Sequence, residues 1–141
     1  MISEVRNQIK GILQDAINAA IQSGDLPHVN TPDIPFSPTK APEHGDIASP
    51  IALSLAKTAK TSPRKIADAI ASHVQLEESF LIRKVEVAGP GFINIYLSKL
   101  WVYNVLKTIK EAGANFGHSN HGEGIRVQVE FVSANPTGPI N

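Results

Sequence analysis

The sequence predicts an α+β fold in which a small antiparallel sheet carries helices mainly on one face, followed by a detached C-terminal strand. Three patterns lead to this prediction. Apolar residues recur at three- and four-residue spacing before residue 75, the spacing becomes alternating after residue 80, and a lone strand-like run follows a glycine-rich segment. With 141 residues, the chain is long enough for one compact domain with an appendage.

The first predicted element is an amphipathic helix over residues 2–23, with one apolar stripe. Ser3 is a candidate N-cap, and Gly24 is a candidate stop. Five prolines then occur between residues 26 and 42. Because proline has no backbone N–H, this segment is predicted to be an extended loop with at most an edge strand around residues 34–36.

Two further helices are predicted before the sheet-forming hairpin. The second helix starts at Asp46 as its N-cap, and the third has Ser62 as its N-cap and Pro63 at the first helical position. Alternating residues then predict a hairpin with strands over 80–88 and 92–97. A last helix from Ser98 to about Ala112 completes this part, with five apolar side chains expected in the core: Leu100, Val102, Tyr103, Leu106 and Ile109.

The C-terminal part divides into a linker and the start of a further domain. We expect residues 1–113 to form one domain, residues 114–124 to be a linker rich in Gly and Asn, and residues 125–141 to begin another domain. The predicted strand over 125–132 has no evident partner in the chain. It could therefore be displaced, disordered or paired with another copy, and the oligomeric state stays open.

The composition excludes several classes of protein. The chain has no cysteine, which excludes a disulfide scaffold, a thiolate metal site and a cysteine nucleophile. No apolar run approaches the ~20 residues that span a bilayer, and the N-terminus does not resemble a signal peptide, so we expect a cytoplasmic protein. Thirteen Lys and Arg balance thirteen Asp and Glu. By itself, this neutrality argues against a nucleic-acid partner.

The sequence contains three motifs of note, which are His44-Gly45-Asp46, Ala88-Gly89-Pro90-Gly91-Phe92-Ile93-Asn94, and the eleven-residue run from Val129 to Pro139. In this order and near these spacings, they resemble arginyl-tRNA synthetase, a class I aminoacyl-tRNA synthetase. The last motif is the most specific, the second is moderately specific, and the first is weak alone.

The resemblance covers essentially the whole chain. It implies an N-terminal tRNA-binding domain joined to the first strand and turn of a nucleotide-binding catalytic domain. The family activates arginine with ATP and Mg²⁺ and transfers it to tRNA in protein biosynthesis. Asn141 stands where most members have the first His of an H-x-G-H motif. We therefore expect this chain alone to have no catalytic residue, to bind no cofactor and to be inactive.

Phe92 and Asn94 are the main candidate RNA-binding residues. Two positions apart on a strand, they share a face with Tyr96, while Ile93, Ile95 and Leu97 share the other. Single-stranded RNA is recognised by stacking bases on aromatic side chains and by hydrogen bonds from side chains to base edges. The resemblance implies that this pair reads a D-loop nucleotide of arginine tRNA. The alternative is that Phe92 packs under a helix and Asn94 satisfies a turn.

Basic residues cluster near the predicted hairpin. No acidic residue lies between Ile47 and Ala67, and two more cations lie on the first hairpin strand. Such a cluster is either a solvated surface or a set of phosphate contacts. The candidate phosphate-binding residues are Lys57, Lys60, Arg64, Lys65, Arg83 and Lys84.

The other candidate residues belong to the motifs and the linker. The resemblance implies that Ser133 and Asn135 hold the arginine substrate in the full-length enzyme, with Glu130 as a weaker candidate. His44 could touch a phosphate, although the simplest interpretation of its motif is a helix cap. His118 and His121 have H-x-x-H spacing, but two imidazoles without a third ligand make a weak metal site, so none is predicted.

Two alternative functions remain open at this stage. The first is a free-standing module for RNA binding or protein interaction, without aminoacylation. The second is a hydrolase or metal enzyme. The second is disfavoured because the sequence has no Cys, no G-x-S-x-G motif and no convincing pair of carboxylates.

Overall fold

The computed structural model describes residues 2–39, 41–76, 80–120, 122–133 and 138. Two compact units are present, residues 1–111 and residues 112–141. Short 3₁₀ helices lie at Pro42–His44 and Gly113–Asn115. The main elements among the described residues are α1 (Ile2–Gln22), β1 (Ser37–Pro38), β2 (Ile47–Ser49), α2 (Ile51–Ala59), α3 (Pro63–Ser72), β3 (Ile82–Ala88), β4 (Phe92–Leu97) and α4 (Lys99–Ala112).

The four strands form one antiparallel sheet in the order β1-β2-β4-β3. β4 is paired on both edges, since Ile95 lies opposite Ile47 of β2 and opposite Val85 of β3. Helices α2 and α3 pack against β4, and α1 packs against α3. The predicted α+β class, with helices on one face of a small sheet, is therefore confirmed.

The hydrophobic core lies between the sheet and the helices. Ile93 and Ile95 of β4 are fully buried, and period-two alternation directs both toward α2 and α3. The predicted apolar stripes on the first three helices are confirmed, because their main residues are buried. These residues are Ile9, Leu13, Ala16, Ile17, Ala20, Ile51, Ala52, Leu55, Ala59, Ile66, Ala67 and Ile70.

The start of α3 is fixed against the turn between β3 and β4. As predicted, the hydroxyl oxygen of Ser62 accepts a hydrogen bond from the backbone N–H of Lys65, and Pro63 is the first helical residue. Gly91 lies so close to Pro63 that an added Cβ would be 2.8 Å from the Pro63 carbonyl carbon. Arg64 donates from Nη1 to the carbonyl of Gly89 at 3.2 Å, so the helix start and the turn are locked together.

The prediction that Asp46 caps the second helix is wrong. The residues after it form β2 instead, and α2 begins at Ile51 with Pro50 as its N-cap. A carboxylate oxygen of Asp46 accepts a hydrogen bond from the backbone N–H of Leu97 at 2.8 Å. Asp46 thus secures the end of β4, because pairing of residues 47–49 with that strand outweighs their helical pattern.

The apolar residues predicted as the core of the last helix are exposed. No described residue of α4 is buried, and the exposed fractions of Leu100, Tyr103 and Leu106 are 54%, 60% and 56%. Val102 and Ile109 are exposed as well. Only the partly buried Trp101 packs against the core. The amphipathic spacing predicted the helix correctly, but it did not show whether the apolar side of the helix would be buried.

Three strand predictions need correction. The first hairpin strand begins at Ile82, and Phe80 is 67% exposed. The detached strand predicted over residues 125–132 is not formed, and the described side chains of that segment are exposed. A strand needs a hydrogen-bonded neighbour, and no other described segment pairs with this run. In the N-terminal loop, the edge strand is β1 rather than residues 34–36.

None of the helices in the described ranges combines the length and the apolar composition that crossing a membrane requires.

We expect Gly45→Ala and Gly91→Ala each to destabilise the chain by about 2–4 kcal/mol. Both glycines have positive φ, +84° and +140°, and an added Cβ would lie 2.7 Å from the Ile95 oxygen or 2.8 Å from the Pro63 carbonyl. Urea unfolding measures the change. Gly11→Ala is the matched control. Because its Cβ would meet nothing within 4 Å, we expect this helical substitution to stabilise by about 0.5–1 kcal/mol. Equal effects at all three positions would contradict the packing argument.

Candidate nucleic-acid interface

One face of the sheet is turned away from the core, and we call it the outer face. It is defined by Phe92, Asn94 and Tyr96 of β4 with Lys84 and Glu86 of β3. The register places Lys84 opposite Tyr96 and Glu86 opposite Asn94, so their side chains share this face at about 5 Å between Cβ atoms. An aromatic ring, an amide, a phenol, a cation and a carboxylate therefore lie together on two adjacent strands.

Phe92 and Asn94 lie on this outer face, away from the helices. Phe92 is half-buried, and Asn94 retains 6% of its surface. Helices α2 and α3 pack on the face that carries Ile93 and Ile95, opposite to the face of Phe92. Asn94 is nearly buried, with Ala48 of β2 and Glu86 of β3 opposite it on either side.

Tyr96 is the centre of a polar network on the outer face. Its hydroxyl oxygen lies 2.5 Å from a carboxylate oxygen of Glu86 and 2.6 Å from the carbonyl oxygen of Glu43. Lys84 forms an ion pair with the same carboxylate. The Arg83 guanidinium and the Lys84 ammonium lie 5.8 and 4.9 Å from the centre of the Tyr96 ring. The network ties the 3₁₀ helix to the sheet and brings both predicted cations to one aromatic ring.

The protonation equilibria in this network follow from its hydrogen bonds. Lys84 and then Tyr96, both hydrogen-bonded to Glu86, lower the pKa of the Glu86 carboxyl below its ordinary value. The same Glu86 bond raises the pKa of the Tyr96 hydroxyl, and desolvation adds to the rise. Glu86 is therefore a carboxylate at neutral pH, and Tyr96 is a neutral donor.

The basic corner, defined as Lys57, Lys60, Arg64 and Lys65, lies where α2 passes into α3. Arg64 reaches the hairpin turn at Gly89 and also forms an ion pair with Asp68 at 3.5 Å. Lys60 adopts the left-handed conformation, with φ of 49°, at the end of α2. The three lysines are exposed and have no ion-pair partner among the residues that the structure describes. Because the turn precedes Phe92, the Arg64 contact joins this corner to the Phe92 end of β4.

The remaining predicted residues do not belong to this surface. Glu130 and Ser133 are exposed and lie in the second unit, while Asn135 and His121 fall outside the described residues. His44 is exposed in the 3₁₀ helix. Within the described ranges, no three His, Asp or Glu side chains are grouped so that they could hold a metal ion.

Sequence reasoning missed Glu86 and the role of Tyr96. Alternation had already placed Tyr96 on the face of Phe92 and Asn94, and that signal was sufficient to include it. No comparable signal existed for Glu86. Its position opposite Asn94 depends on the register between β3 and β4, and a shift between Ile82 and Lys84 interrupts that register.

We expect Tyr96→Phe to raise the pKa of Glu86 toward its ordinary value, because one of the two hydrogen bonds that lower it is lost. A carbon-detected NMR titration of the Glu86 carboxyl measures this change. A lowered folded-state pKa contributes stability that is complete above the unfolded-state pKa. That contribution is lost as the pH falls through the folded-state value. The variant should therefore lose less stability on acidification.

Tyr103→Phe is the matched control for this substitution. Tyr103 lies on α4 with an exposed side chain, and its hydroxyl makes no hydrogen bond to another described residue. We expect this change to leave the Glu86 titration unaltered. An unchanged Glu86 pKa in Tyr96→Phe would show that the hydroxyl does not control the carboxylate.

The comparisons with known proteins all point to the same family. Residues 7–97 match the family model for the arginyl tRNA synthetase N terminal domain. The arginine–tRNA ligase of Acetivibrio thermocellus is 39% identical over the whole chain, which corresponds to 25% of that relative. The ligase of Thioalkalivibrio sulfidiphilus is 44% identical over 97% of the chain and 23% of its own length. The chain thus spans about a quarter of these relatives.

A solved structure shares the fold. The crystal structure of arginyl-tRNA synthetase from Plasmodium falciparum superposes with a TM-score of 0.58 at 20% identity, covering 73% of this chain and 18% of that one. The family match includes α3, the hairpin and all of β4, so it covers the outer face and the basic corner. The chain belongs to the arginyl-tRNA synthetase family, through its N-terminal domain.

Proposed function

We propose that this chain is the tRNA-recognition part of an arginine–tRNA ligase and that its outer face binds a nucleotide at the D-loop corner of arginine tRNA. The observation that carries the proposal is the placement of Phe92 and Asn94 together on the outer face of the sheet. The basic corner is tied to the turn beside them by Arg64. A base stacks on the Phe92 ring, and the Asn94 amide reads its edge.

The phosphates of the same RNA segment run toward the basic corner. Lys57, Lys60 and Lys65 have no ion-pair partner among the described residues, so phosphate binding there does not require breaking an existing salt bridge. Phosphate contacts supply affinity and fix register, whereas base contacts supply selectivity. The domain thereby orients the tRNA and leaves the bond-forming steps to other residues of the ligase.

Aminoacylation itself belongs to the longer protein. We infer that the complete ligase uses ATP and Mg²⁺ to activate arginine, that Ser133 and Asn135 contact the arginine substrate, and that Glu130 borders that site. No step through ATP or Mg²⁺ is assigned to this chain. A cytoplasmic location stays a prediction from the sequence.

The family membership favours this function over a free-standing RNA-binding or protein-interaction module. The two relatives named above are arginine–tRNA ligases by name. A ligase domain should prefer arginine tRNA to other tRNAs, whereas a general RNA-binding module should not. That preference separates the two functions experimentally.

We expect Phe92→Leu and Asn94→Ala each to weaken binding of arginine tRNA about tenfold, because each removes one base contact worth roughly 1–3 kcal/mol. Fluorescence anisotropy of end-labelled tRNA at fixed salt measures the affinity, and circular dichroism verifies folding. Asn18→Ala on the exposed surface of α1 is the matched control. Unchanged affinity in both outer-face variants would reject this face as the binding site.

We expect Lys60→Gln combined with Lys65→Gln to weaken binding of all tRNAs to a similar degree. The slope of log affinity against log salt concentration should become shallower by about 1.5, because two phosphate contacts are lost. Anisotropy titrations at several salt concentrations give the slope. Lys107→Gln combined with Lys110→Gln removes the same charge from α4 and should leave the slope unchanged. Equal slopes in all three proteins would contradict a phosphate role for the basic corner.

A further inference from the structure

A cavity lies at the opposite end of β4 from Phe92. It has a volume of about 590 Å³ and is bounded by the 3₁₀ helix, the end of β4 and the start of α4. This volume falls within the roughly 300–1,000 Å³ typical of small-ligand sites. The residues that give the cavity its chemistry are Asp46, Arg83, Tyr96, Lys99 and Trp101. Tyr96 belongs both to this cavity and to the outer face, so the two surfaces are continuous.

A β-bulge concentrates positive charge at this cavity. Ile82 pairs with Leu97 and Lys84 with Tyr96, so Arg83 is the extra residue in β3. Regular pleating would direct consecutive residues to opposite faces. The bulge instead lets Arg83 and Lys84 both lie within 6 Å of the Tyr96 ring centre. Bulges re-aim side chains in this way next to binding sites.

The charged groups in and beside the cavity differ in their partners. Lys84 is paired with Glu86, and the Asp46 carboxylate accepts the backbone N–H of Leu97. Arg83 and Lys99 are exposed, and neither has an ion-pair partner among the residues that the structure describes. Trp101, half-buried beside them, adds a large aromatic surface. The cavity therefore combines two cations that lack an ion-pair partner in the described part of the chain, one carboxylate and an indole ring.

This combination fits a ribonucleotide. A base stacks on an indole ring, and Arg and Lys bind the phosphate. Phe92 and Tyr96 are four residues apart along β4, about 14 Å in an extended strand. A single nucleotide cannot occupy both places, so the cavity and the Phe92 site would take different nucleotides of one RNA segment.

We propose that the cavity between Arg83, Lys99 and Trp101 is a second RNA subsite, which takes one unpaired nucleotide of the bound tRNA. This inference rests on the proposed RNA-binding function of the outer face, which it extends to the far end of β4. The base stacks on Trp101, and its phosphate lies between the Arg83 guanidinium and the Lys99 ammonium. Free ATP offers the same chemistry, so the test must distinguish the two sources.

The test uses the fact that the chain contains one tryptophan, which is Trp101. Its emission is followed while unlabelled arginine tRNA is added, and binding is followed separately by anisotropy of labelled tRNA. We expect emission to be lost along the same isotherm as the anisotropy rises, whereas ATP at the same concentrations leaves it unchanged. Binding of tRNA without any change in emission would overturn the subsite and leave the proposed function standing.

The remaining outcomes are equally decisive. Equal loss of emission with ATP and with tRNA would overturn the RNA assignment of the cavity. Absence of any tRNA binding would overturn the proposed function, and the subsite with it. If Phe92→Leu and Asn94→Ala leave tRNA affinity unchanged while Trp101 emission still falls on tRNA binding, the outer-face pair is rejected and the cavity subsite is retained.

Charge-removing variants test the phosphate contact separately from stacking. Arg83→Gln combined with Lys99→Gln should weaken tRNA binding about fivefold and make the salt slope shallower by about 1.5. Both side chains are exposed, so the fold should be retained. Arg6→Gln on α1 is the control and should change neither quantity. Unchanged affinity in the double variant would contradict a phosphate between these two cations.

Discussion

The alternation of side chains along β4 is the constraint on which the rest of the structure depends. β4 is hydrogen-bonded on both edges, so its register is fixed by β2 and β3 together. A shift by one residue would bring Asn94 into the core and expose Ile93 and Ile95. The burial of these two isoleucines therefore fixes which side chains face outward. The same packing that stabilises the domain thereby places Phe92, Asn94 and Tyr96 on the outer face.

Close backbone contacts then connect this strand to the charged parts of the surface. Gly91 lets the hairpin turn touch Pro63, and Gly45 lets the 3₁₀ helix touch the Ile95 carbonyl. The first contact brings Arg64 and its lysine neighbours to the Phe92 end of β4. The second brings Glu43 within reach of the Tyr96 hydroxyl at the other end. Packing thus explains why glycine occupies these two positions in the sequence motifs. The same packing brings Arg64 and Glu43 to the two ends of β4.

Local patterns in the sequence were sufficient for α1, α3, α4 and the hairpin turn, because a cap such as Ser62-Pro63 and a turn such as Gly89-Pro90-Gly91 act over a few residues. Features decided by distant pairing were not predictable. Residues 47–49 read as helix and form a strand because β4 lies beside them. The extra residue Arg83 leaves no local signature, so the contact of both cations with Tyr96 could not be anticipated. For α4, spacing defined an apolar side but carried no information about what contacts it.

The neutral net charge of the chain does not describe the local charge at each part of its surface. A neutral chain has little general attraction for RNA, but the field at a surface depends on how charges are arranged. Here Lys84 and Arg64 are paired with acids, whereas the lysines of the basic corner are exposed without such partners among the described residues. In the proposed complex, phosphate contacts by these lysines supply affinity and fix the register, and a neutral net charge is compatible with this because these cations are concentrated in one place. Phosphate contacts are alike in every tRNA, so selectivity between tRNAs depends on the base contacts.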